Sequence, residues 1–353
     1  MRGKGSVFLI IWASLMTLIV VALVGFEAMR LFGKANLTNK SATSTPMMAQ
    51  TQEMVPEEKA STTWQSDWVR YNGDVYDYNE DITTFLIMGI DKDDEVVTKV
   101  NEGMDGGQAD SLFLLVLNPH DQSIKVIGIN RNSMANVDIY DEYGRYQNTV
   151  VAQIAIQHGF GDGMEKSCEY QVKAVSNMFY QLPIHGYAAI NMSAIPTIND
   201  QVGGVDVEVL DDLTKWDKSL KKGAKVHLEG KSAFHYVKTR DITIPGSNDD
   251  RLERQRQYLN GFIEAARKAS EENPNAAVEL FTAISNQMVT DITPDEISYL
   301  APDLTRYSFD ADDLKMIKGT TQKNGAYEEF IVDEDDLYNT IIETFYEKLD
   351  NLD

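Results

Sequence analysis

The segment that decides the fold, residues 228–258, reads LEGKSAFHYVKTRDITIPGSNDDRLERQRQY. It gathers cations in a protein that has 55 acidic and only 32 basic side chains, and these cations are Lys231, Lys238, Arg240, Arg251, Arg254 and Arg256. The solvated surface of so acidic a protein gives little reason to concentrate positive charge at one place. We therefore expect this segment to bind an anion.

The second half of the segment has the spacing of a helix with two different faces. Arg251, Arg254 and Tyr258 are three and four residues apart, which places them on one side of a helix. The opposite side is apolar and consists of Leu252, Leu259, Phe262, Ile263 and Ala266. This pattern predicts a helix that packs on its apolar stripe and presents arginines on the other.

The first half of the segment contributes a second pair of cations. Lys238 and Arg240 are two residues apart, so they point to the same side if the run YVKTR is extended. Guanidinium groups suit phosphate because they donate two parallel, charge-assisted hydrogen bonds. Two cation pairs joined by a loop form a clamp for a polyanion. The alternative is that the arginines pair with nearby carboxylates, which are Asp241, Asp249, Asp250 and Glu253.

Composition limits the class of protein. The chain has 353 residues, of which 43% are hydrophobic and 25% charged, as in a globular protein. A net charge of −23 argues against nucleic acid as a partner, because affinity for nucleic acid comes mainly from Lys and Arg. The single cysteine, Cys168, cannot form an internal disulfide and shares an apolar helical stripe, which predicts a core thiol.

The N-terminal region predicts a membrane protein. Residues 6–26 form 21 consecutive positions without a charge, the length of a helix that crosses a bilayer. No small-residue cleavage site follows, so we expect an uncleaved signal anchor after a short cytoplasmic tail, residues 1–5. Residues 27–64 are polar and predict a linker or stalk. The expected location is the cell membrane, with a single pass and the large domain on the extracellular face.

Strands alternate with helices through the rest of the chain. Thr83–Ile90 and Ser111–Asn118 predict buried strands, and Ser123–Arg131 follows a turn to complete a hairpin. Thr149–His158 and Glu165–Gln181 have helical periodicity. We therefore predict an α/β fold, a three-layer α/β/α arrangement with a mixed central sheet. Residues 65–270 form the main domain, and residues 271–353 are predicted to be a helical extension of it.

Two charged residues at the hairpin are expected to meet. Asp110 begins one strand and Arg131 ends its antiparallel partner, so both lie at the same edge of the sheet. An oxygen ligand for a divalent cation beside guanidinium groups is a common arrangement for binding pyrophosphate. The alternative is a salt bridge that only closes the hairpin.

The order of the motifs resembles that of a known family. QADSLFLLVLN, IKVIGINRNSM, a Gly-Gly-Val turn, LEGKSAFHYVKTR and DDRLERQRQ are similar to the LytR-CpsA-Psr family of bacterial envelope proteins, from about Thr83 to Phe262. The resemblance implies a membrane-anchored phosphotransferase. It would move an anionic glycopolymer from a polyprenyl-pyrophosphate carrier to peptidoglycan, with assistance from magnesium.

The resemblance also assigns roles to residues. Asp110 stands at the position of the magnesium ligand, and Asp110, Arg131 and Arg240 are the predicted catalytic residues. The predicted pyrophosphate-binding residues are Arg131, Lys238, Arg240, Arg251, Arg254 and Gln255.

Some positions depart from the family pattern. Gln108 stands where arginine is common, Asn130 replaces proline, and Lys238 replaces an arginine. Asn132 replaces an aspartate on the metal side, which leaves a weak oxygen ligand without charge; Asp249 or Asp250 could substitute. The alternative functions are therefore a non-catalytic receptor for polyprenyl-linked phosphate and a transcriptional attenuator, the latter disfavoured by the net charge of −23.

Overall fold

The computed structural model describes most of the chain after the predicted membrane span. The described residues are 30–37, 39–40, 46–50, 65, 67–92, 106–141, 143–241, 247–273, 275–325 and 327–349. The predicted tail and membrane helix at residues 1–26 lie outside them, as does most of the loop between Asp91 and Asp110. Within the described ranges, no helix is both long enough and apolar enough to cross a bilayer.

The strands of the described residues follow one another from Trp68 onward. In chain order they are β1 (Trp68–Tyr71), β2 (Asp74–Tyr78), β3 (Thr83–Ile90), β4 (Ala109–Asn118), β5 (Ser123–Ile129), β6 (Met134–Tyr140), β7 (Tyr146–Gln153), β8 (Gly186–Asn191), β9 (Val205–Glu208), β10 (Lys225–Leu228), β11 (Met288–Thr290), β12 (Leu314–Met316), β13 (Gly319–Asn324), β14 (Tyr327–Val332) and β15 (Tyr346–Lys348).

The α-helices lie between and after these strands. They are α1 (Glu165–Met178), α2 (Ile195–Gln201), α3 (Lys231–Lys238), α4 (Ser247–Glu272), α5 (Ala276–Ala283), α6 (Pro294–Arg306) and α7 (Glu334–Phe345). Residues 30–37 also form a helical segment.

The central sheet has six strands in the order β11-β8-β3-β4-β5-β12. The neighbours β3 and β4, and β4 and β5, are antiparallel, whereas β8 runs parallel to β3 and β12 runs parallel to β5. The prediction of an α/β fold with a mixed central sheet is therefore confirmed.

Helices cover both faces of this sheet because its strands alternate apolar side chains between the two sides. Leu86 and Met88 of β3 face the main core, where Val175 of α1 and Ile341 of α7 are also buried. Phe85 and Ile87 point the other way, toward side chains of α5 and α6. The strands are apolar on both faces, as expected for a sheet between two layers of helices.

The structure contradicts one predicted helix. Thr149–His158, predicted to be helical, is the end of β7 followed by a 3-10 helix at Ile154–Phe160. Strand β7 pairs with β6, with Val150 opposite Val137. The β-branched residues of the run TVV favour a strand once a partner strand is available, and this partner was not recognised from the sequence.

The region assigned to the stalk makes contacts with the domain in its described parts. Leu37 is buried in a cluster with Phe85, and Met48 is buried in the main core. Lys40 Nζ lies 3.0 Å from Glu296 Oε1, a fully buried carboxylate at the start of α6.

The C-terminal region completes the sheet and is not purely helical. Strand β12 adds to β5 at one edge of the central sheet, β15 pairs with β2, and β13 and β14 form a hairpin. The predicted helical extension therefore contains both helices and strands, because β12 and β15 find pairing partners far away in the sequence and β13 and β14 pair with each other.

Candidate functional site

The candidate site lies at the end of the central sheet where β3 and β5 end and β4 begins. Leu112 pairs with Ile129, and this register places Asp110 opposite Arg131. Arg131 Nη1 forms an ion pair with Asp110 Oδ1. The prediction that these two side chains meet at one edge is confirmed.

Arg251 adds a second guanidinium to the same carboxylate. It lies in the first turns of α4, is 3% exposed, and its Nη1 lies 3.2 Å from Asp110 Oδ2. Burial lowers the pKa of Arg251; Asp110 opposes this effect, and the nearby Arg240 and Arg131 add to it. Two guanidinium groups thus share one carboxylate, with the guanidinium of Arg240 nearby, and the site has an excess of positive charge.

Arg254 and Gln255 bind backbone groups of the preceding helix. Arg254 Nη1 donates to Tyr236 O at 2.7 Å, and its Nη2 donates to Thr239 O at 2.6 Å. Gln255 Nε2 donates to Val237 O at 3.1 Å. These bonds hold the end of α3 against α4 and thereby position residues 238–240. The predicted role of Arg254 and Gln255 in pyrophosphate binding stays a prediction.

Lys238 and Arg240 are presented differently from the expected extended run. Lys238 is the last residue of α3, and Thr239 directly after it is extended. The run is helical because Ala233, Tyr236 and Val237 are buried at a spacing of three and four residues. Lys238 Nζ lies 3.5 Å from Asp91 Oδ1. Arg240 is half-buried and pairs with none of the carboxylates that the structure describes.

Two of the positions that depart from the family pattern contact other polar groups. Gln108 Oε1 accepts a hydrogen bond from Arg131 Nη2, a contact that the sequence did not suggest. Asn132 is 8% exposed, and its Oδ1 accepts a hydrogen bond from Gln153 Nε2 at 3.3 Å. Asp250 is exposed on α4, and the Asp249 side chain lies outside the described residues.

The residues present fit a divalent cation as a partial ligand set. Asp110 Oδ1 is buried and accepts no hydrogen bond from the described residues, although it pairs with Arg131. Magnesium is commonly held by one or two carboxylates together with substrate phosphates. The described parts of the chain contain no group of three His, Cys, Asp or Glu side chains placed to hold a metal. Substrate oxygens would have to complete the coordination.

His158 supports the loop that leads into β4, a role for which the sequence gave no signal. Its Nδ1 lies 3.0 Å from Gly107 O, and because a carbonyl can only accept, Nδ1 carries the proton. Gly107 has a φ of +79° and lies against Ile90, so a side chain there would be strained. Burial lowers the pKa of His158 to about 4. A neutral histidine therefore fixes the backbone at Gly107, directly before Gln108 and three residues before Asp110.

Two apolar cavities lie along α4, next to the arginine site. The first, of about 190 Å³, begins at Gln255 and Tyr258 and is lined further by Met88, Phe113, Ile195 and Leu259. The second, of about 220 Å³, lies farther along the helix between Leu115 and Ala266. Phe262 lines both, so together they follow one side of α4 away from the charged site.

Comparison with known proteins identifies the family of this chain. The model of the LytR_cpsA_psr family matches residues 36–344, and this chain belongs to that family. The resemblance inferred from the motifs is thereby confirmed.

Named relatives and solved structures are similar over much of the chain. The Polyisoprenyl-teichoic acid--peptidoglycan teichoic acid transferase TagU of Bacillus anthracis is 28% identical over 214 residues, which cover 61% of this chain and 62% of that protein. TagV of Bacillus subtilis, a transferase of the same description, is 26% identical over 284 residues, 72% of this chain and 67% of TagV. The match therefore spans about three fifths of TagU.

The solved structures show the same fold. The crystal structure of Bacillus subtilis TagV has a TM-score of 0.57 at 24% identity and covers 74% of this chain and 96% of that one. A structure of TagT bound to LI-WTA has a TM-score of 0.56 at 16% identity and covers 86% of this chain and 96% of that one.

Proposed function

We propose that this protein transfers a phosphate-linked glycopolymer from a polyprenyl-pyrophosphate carrier to peptidoglycan. The observation that carries the proposal is an apolar cavity next to the cationic site, lined in part by Ser111, which directly follows Asp110. Gln255, next to Arg254 and one turn from Arg251, also lines the first cavity. A ligand that fills both must have an anionic head and an apolar tail. The names of the TagU and TagV relatives support this ligand class.

The arginines are suited to the pyrophosphate of such a carrier. Arg131 and Arg251 are held by Asp110, so their positions are fixed before a ligand arrives. Fixed donors stabilise developing negative charge without reorganisation, and removing one typically costs about a hundredfold or more in rate. Arg240 is nearby and has no carboxylate partner among the described residues, so it is available to the phosphate oxygens.

The reaction joins an acceptor hydroxyl to the phosphorus next to the polymer. The hydroxyl oxygen forms a bond to that phosphorus, the bond from the same phosphorus to the bridging oxygen breaks, and polyprenyl phosphate leaves with the bonding electrons. The hydroxyl proton passes to a base, for which Asp110 or a carboxylate of the loop after β3 are the candidates. Arg131, Arg240 and Arg251 surround the charge that develops on the departing phosphate.

Magnesium is proposed as a cofactor with Asp110 as its protein ligand. When bound, the ion would neutralise part of the charge of the pyrophosphate. The amide of Asn132 would be a weak additional ligand, because it has no charge and its oxygen already accepts from Gln153.

The membrane is part of the same proposal. A polyprenyl carrier resides in a bilayer, and an anchor at residues 6–26 would keep the domain within its reach. We therefore propose a single-pass protein of the cell membrane with its large domain on the extracellular face.

Arg240→Ala tests the transfer directly. The full chain in detergent is mixed with a short-chain polyprenyl-pyrophosphate-linked polymer, magnesium and peptidoglycan, and release of polyprenyl phosphate is measured. We expect the rate to fall about a hundredfold. The matched control is Arg256→Ala on α4, because Arg256 pairs with Glu253 on the same helix. Equal rates for the two variants would contradict the proposal.

A non-catalytic receptor for the same carrier is the second candidate, and the contact of Asn132 with Gln153 favours it. Asn132→Asp replaces the amide, which accepts one hydrogen bond from Gln153, with a charged carboxylate. We therefore expect half-maximal release of polyprenyl phosphate at a severalfold lower magnesium concentration. A wild-type protein that binds the carrier without releasing polyprenyl phosphate, together with an active Asn132→Asp variant, would identify a receptor.

A further inference from the structure

The helical segment of residues 30–37, which we term the docked helix, packs on the domain far from the arginine site. Its Leu37 is 4% exposed and belongs to a cluster with Phe85, near the start of β3, and Ile124, near the start of β5. The arginine site lies where these two strands end. Strand β3 has eight residues, so its two ends lie about 23 Å apart at about 3.3 Å per residue. The docked helix therefore marks the opposite end of the central sheet.

Specific contacts hold the docked helix against the start of α6. A Cβ atom on Gly33 would lie 2.3 Å from Asp295 O, so only glycine permits this close approach. Asn36 Nδ2 donates to Asp295 Oδ2 at 3.1 Å. Just after the helix, Lys40 Nζ lies 3.0 Å from Oε1 of the fully buried Glu296. Because a buried carboxylate without its partner is strongly unfavourable, this segment is fixed to the domain.

The side of the docked helix that points away from the domain is apolar and exposed. Leu31 is 67% and Phe32 is 69% exposed, and no other leucine or phenylalanine side chain that the structure describes is counted as exposed. At 100° per residue, Ala35 lies between these two on the helix surface, opposite Gly33 and Leu37. The helix thus has one face for the domain and a second apolar face for a different partner.

The position of the docked helix in the sequence indicates a lipid bilayer as that partner. The uncharged stretch of residues 6–26, the proposed anchor, ends four residues before Arg30. Amphipathic helices of this kind lie with their apolar face at the boundary between headgroups and acyl chains. Asp291, Asp295 and Glu296 lie at the same end of the domain. Apolar contact, and not attraction between headgroup charge and a basic surface, must therefore carry the interaction.

The apolar cavities along α4 lead toward the same end of the domain. The second cavity, of about 220 Å³, is lined by Leu115, Ile124 and Tyr307. Ile124 and Tyr307 are buried in one cluster with Leu37, and Leu115 packs against that cluster. The docked helix therefore packs on residues that line the cavity farther from the arginine site.

We propose that the outer face of the docked helix, formed by Leu31, Phe32 and Ala35, lies in the bilayer interface, so that the end of the domain opposite the arginine site faces the membrane. This inference rests on the proposed function for one step, the path of the carrier. The polyprenyl tail enters beside the docked helix and follows the cavities along α4. Its pyrophosphate then reaches the arginines about 23 Å from the membrane-facing end.

The orientation is tested with single cysteines in the full chain, each labelled with a fluorophore and reconstituted into vesicles that contain headgroup-nitroxide lipid. Leu31→Cys labels the outer face, and Glu80→Cys labels the same end of the domain, where Glu80 and Lys34 line one cavity. Glu253→Cys, at the start of α4, labels the arginine end and is the matched control. The native Cys168 is fully buried, so the unsubstituted protein is the blank for labelling.

We expect lipid nitroxide to quench the labels at positions 31 and 80 severalfold more than the label at position 253, equally in neutral and in anionic vesicles. Equal quenching at positions 80 and 253, or stronger quenching at 253, would overturn the orientation. Quenching in anionic vesicles alone would mean that headgroup charge is recognised, which contradicts the proposal. A label at position 31 that both lipid nitroxide and a water-soluble quencher fail to reach would show that protein, and not lipid, covers this face.

The variant L31Q/F32Q tests what the contact does for the carrier. We expect release of polyprenyl phosphate from a long carrier embedded in vesicles to fall about tenfold, because two apolar side chains no longer enter the interface. Release from a short, water-soluble carrier should not change, which also shows that the variant is folded. The control V151Q/Y327Q removes two similarly exposed apolar side chains from β7 and β14 and should match wild type with both carriers. Equal losses in the two variants would overturn the role of the docked helix.

Failure of the proposed function gives a different result. If the wild-type protein releases polyprenyl phosphate from neither carrier, the proposed transfer is wrong, and the quenching pattern still decides which end of the domain faces the bilayer. If the wild-type protein is active and L31Q/F32Q equals it with the embedded carrier, only the inference about the docked helix is wrong.

Discussion

The arginine site lies beside residues 211–231, a surface loop with six exposed lysines that we term the lysine loop, and the two regions hold their cations in opposite ways. Arg131 and Arg251 are buried against Asp110, and Arg254 is fixed by two backbone carbonyls. The lysines project from a surface loop, and five of them have no ion-pair partner in the described structure. Buried, fixed guanidinium groups suit chemistry at one atom, whereas exposed ammonium groups suit attraction along a flexible chain.

The arginine site and the lysine loop should therefore contribute differently to the stability of the fold. Removing one partner of a buried ion pair leaves an uncompensated charge in the interior, which is strongly destabilising. Removing an exposed, unpaired lysine changes little.

Arg251→Met should lower the free energy of unfolding by about 3 kcal/mol, because Asp110 then keeps only one guanidinium partner in a buried position. Chemical denaturation followed by tryptophan fluorescence measures the change. Lys222→Met is the matched variant in the lysine loop and should cost less than about 0.5 kcal/mol. Similar midpoints for the two variants would remove the distinction between the clusters.

Acid should destabilise the arginine site through His158. Burial lowers the pKa of His158 to about 4 in the folded protein, while in the unfolded chain it is about 6.5. As the pH falls below 6.5 the unfolded chain takes up a proton first, so stability is lost progressively down to pH 4. The loss attributable to one such histidine is on the order of 3 kcal/mol.

The pH dependence separates the two regions because the pKa of the histidine in the lysine loop, His227, shifts in the opposite direction. A hydrogen bond to Asp206 raises the pKa of His227, which is exposed. His158→Gln should reduce the fall in stability between pH 6.5 and 4, and His227→Gln should not. Denaturation midpoints measured between pH 6.5 and 4 test this expectation. A wild-type protein with constant stability over this range would contradict the role assigned to His158.

Leu259→Trp tests the apolar side of the arginine site and has the smallest expected effect. A larger side chain in the first cavity should weaken binding of a polyprenyl pyrophosphate about tenfold, equivalent to about 1.4 kcal/mol. Binding of inorganic pyrophosphate, which has no tail, should not change. Isothermal titration with both ligands gives the two affinities. Equal losses for both would mean that the substitution disturbs the arginines and that the cavity does not hold the tail.

The sequence was sufficient for the features that depend on local pattern. Strand β3 was predicted with its observed bounds, because an apolar run with no helical period is typical of a buried strand. The meeting of Asp110 and Arg131 followed from the geometry of an antiparallel hairpin. The motif order was enough to identify the family.

Other features depended on partners distant in the sequence. The run around Val150 became a strand because β6 was available to pair with it. His158 binds the backbone of Gly107, and Gln108 binds Arg131. Each pair is far apart in the sequence, and no motif links its two residues.

Residue types determined which charges this protein carries, and their spacing determined which of them share a face of a helix or strand. The tertiary structure decided which of those charges are buried and paired, and which remain exposed. The physical reason is that desolvation and pairing depend on the surroundings in space: Arg251 and Lys222 are both cations in the sequence, but only Arg251 has a carboxylate brought to it by the fold.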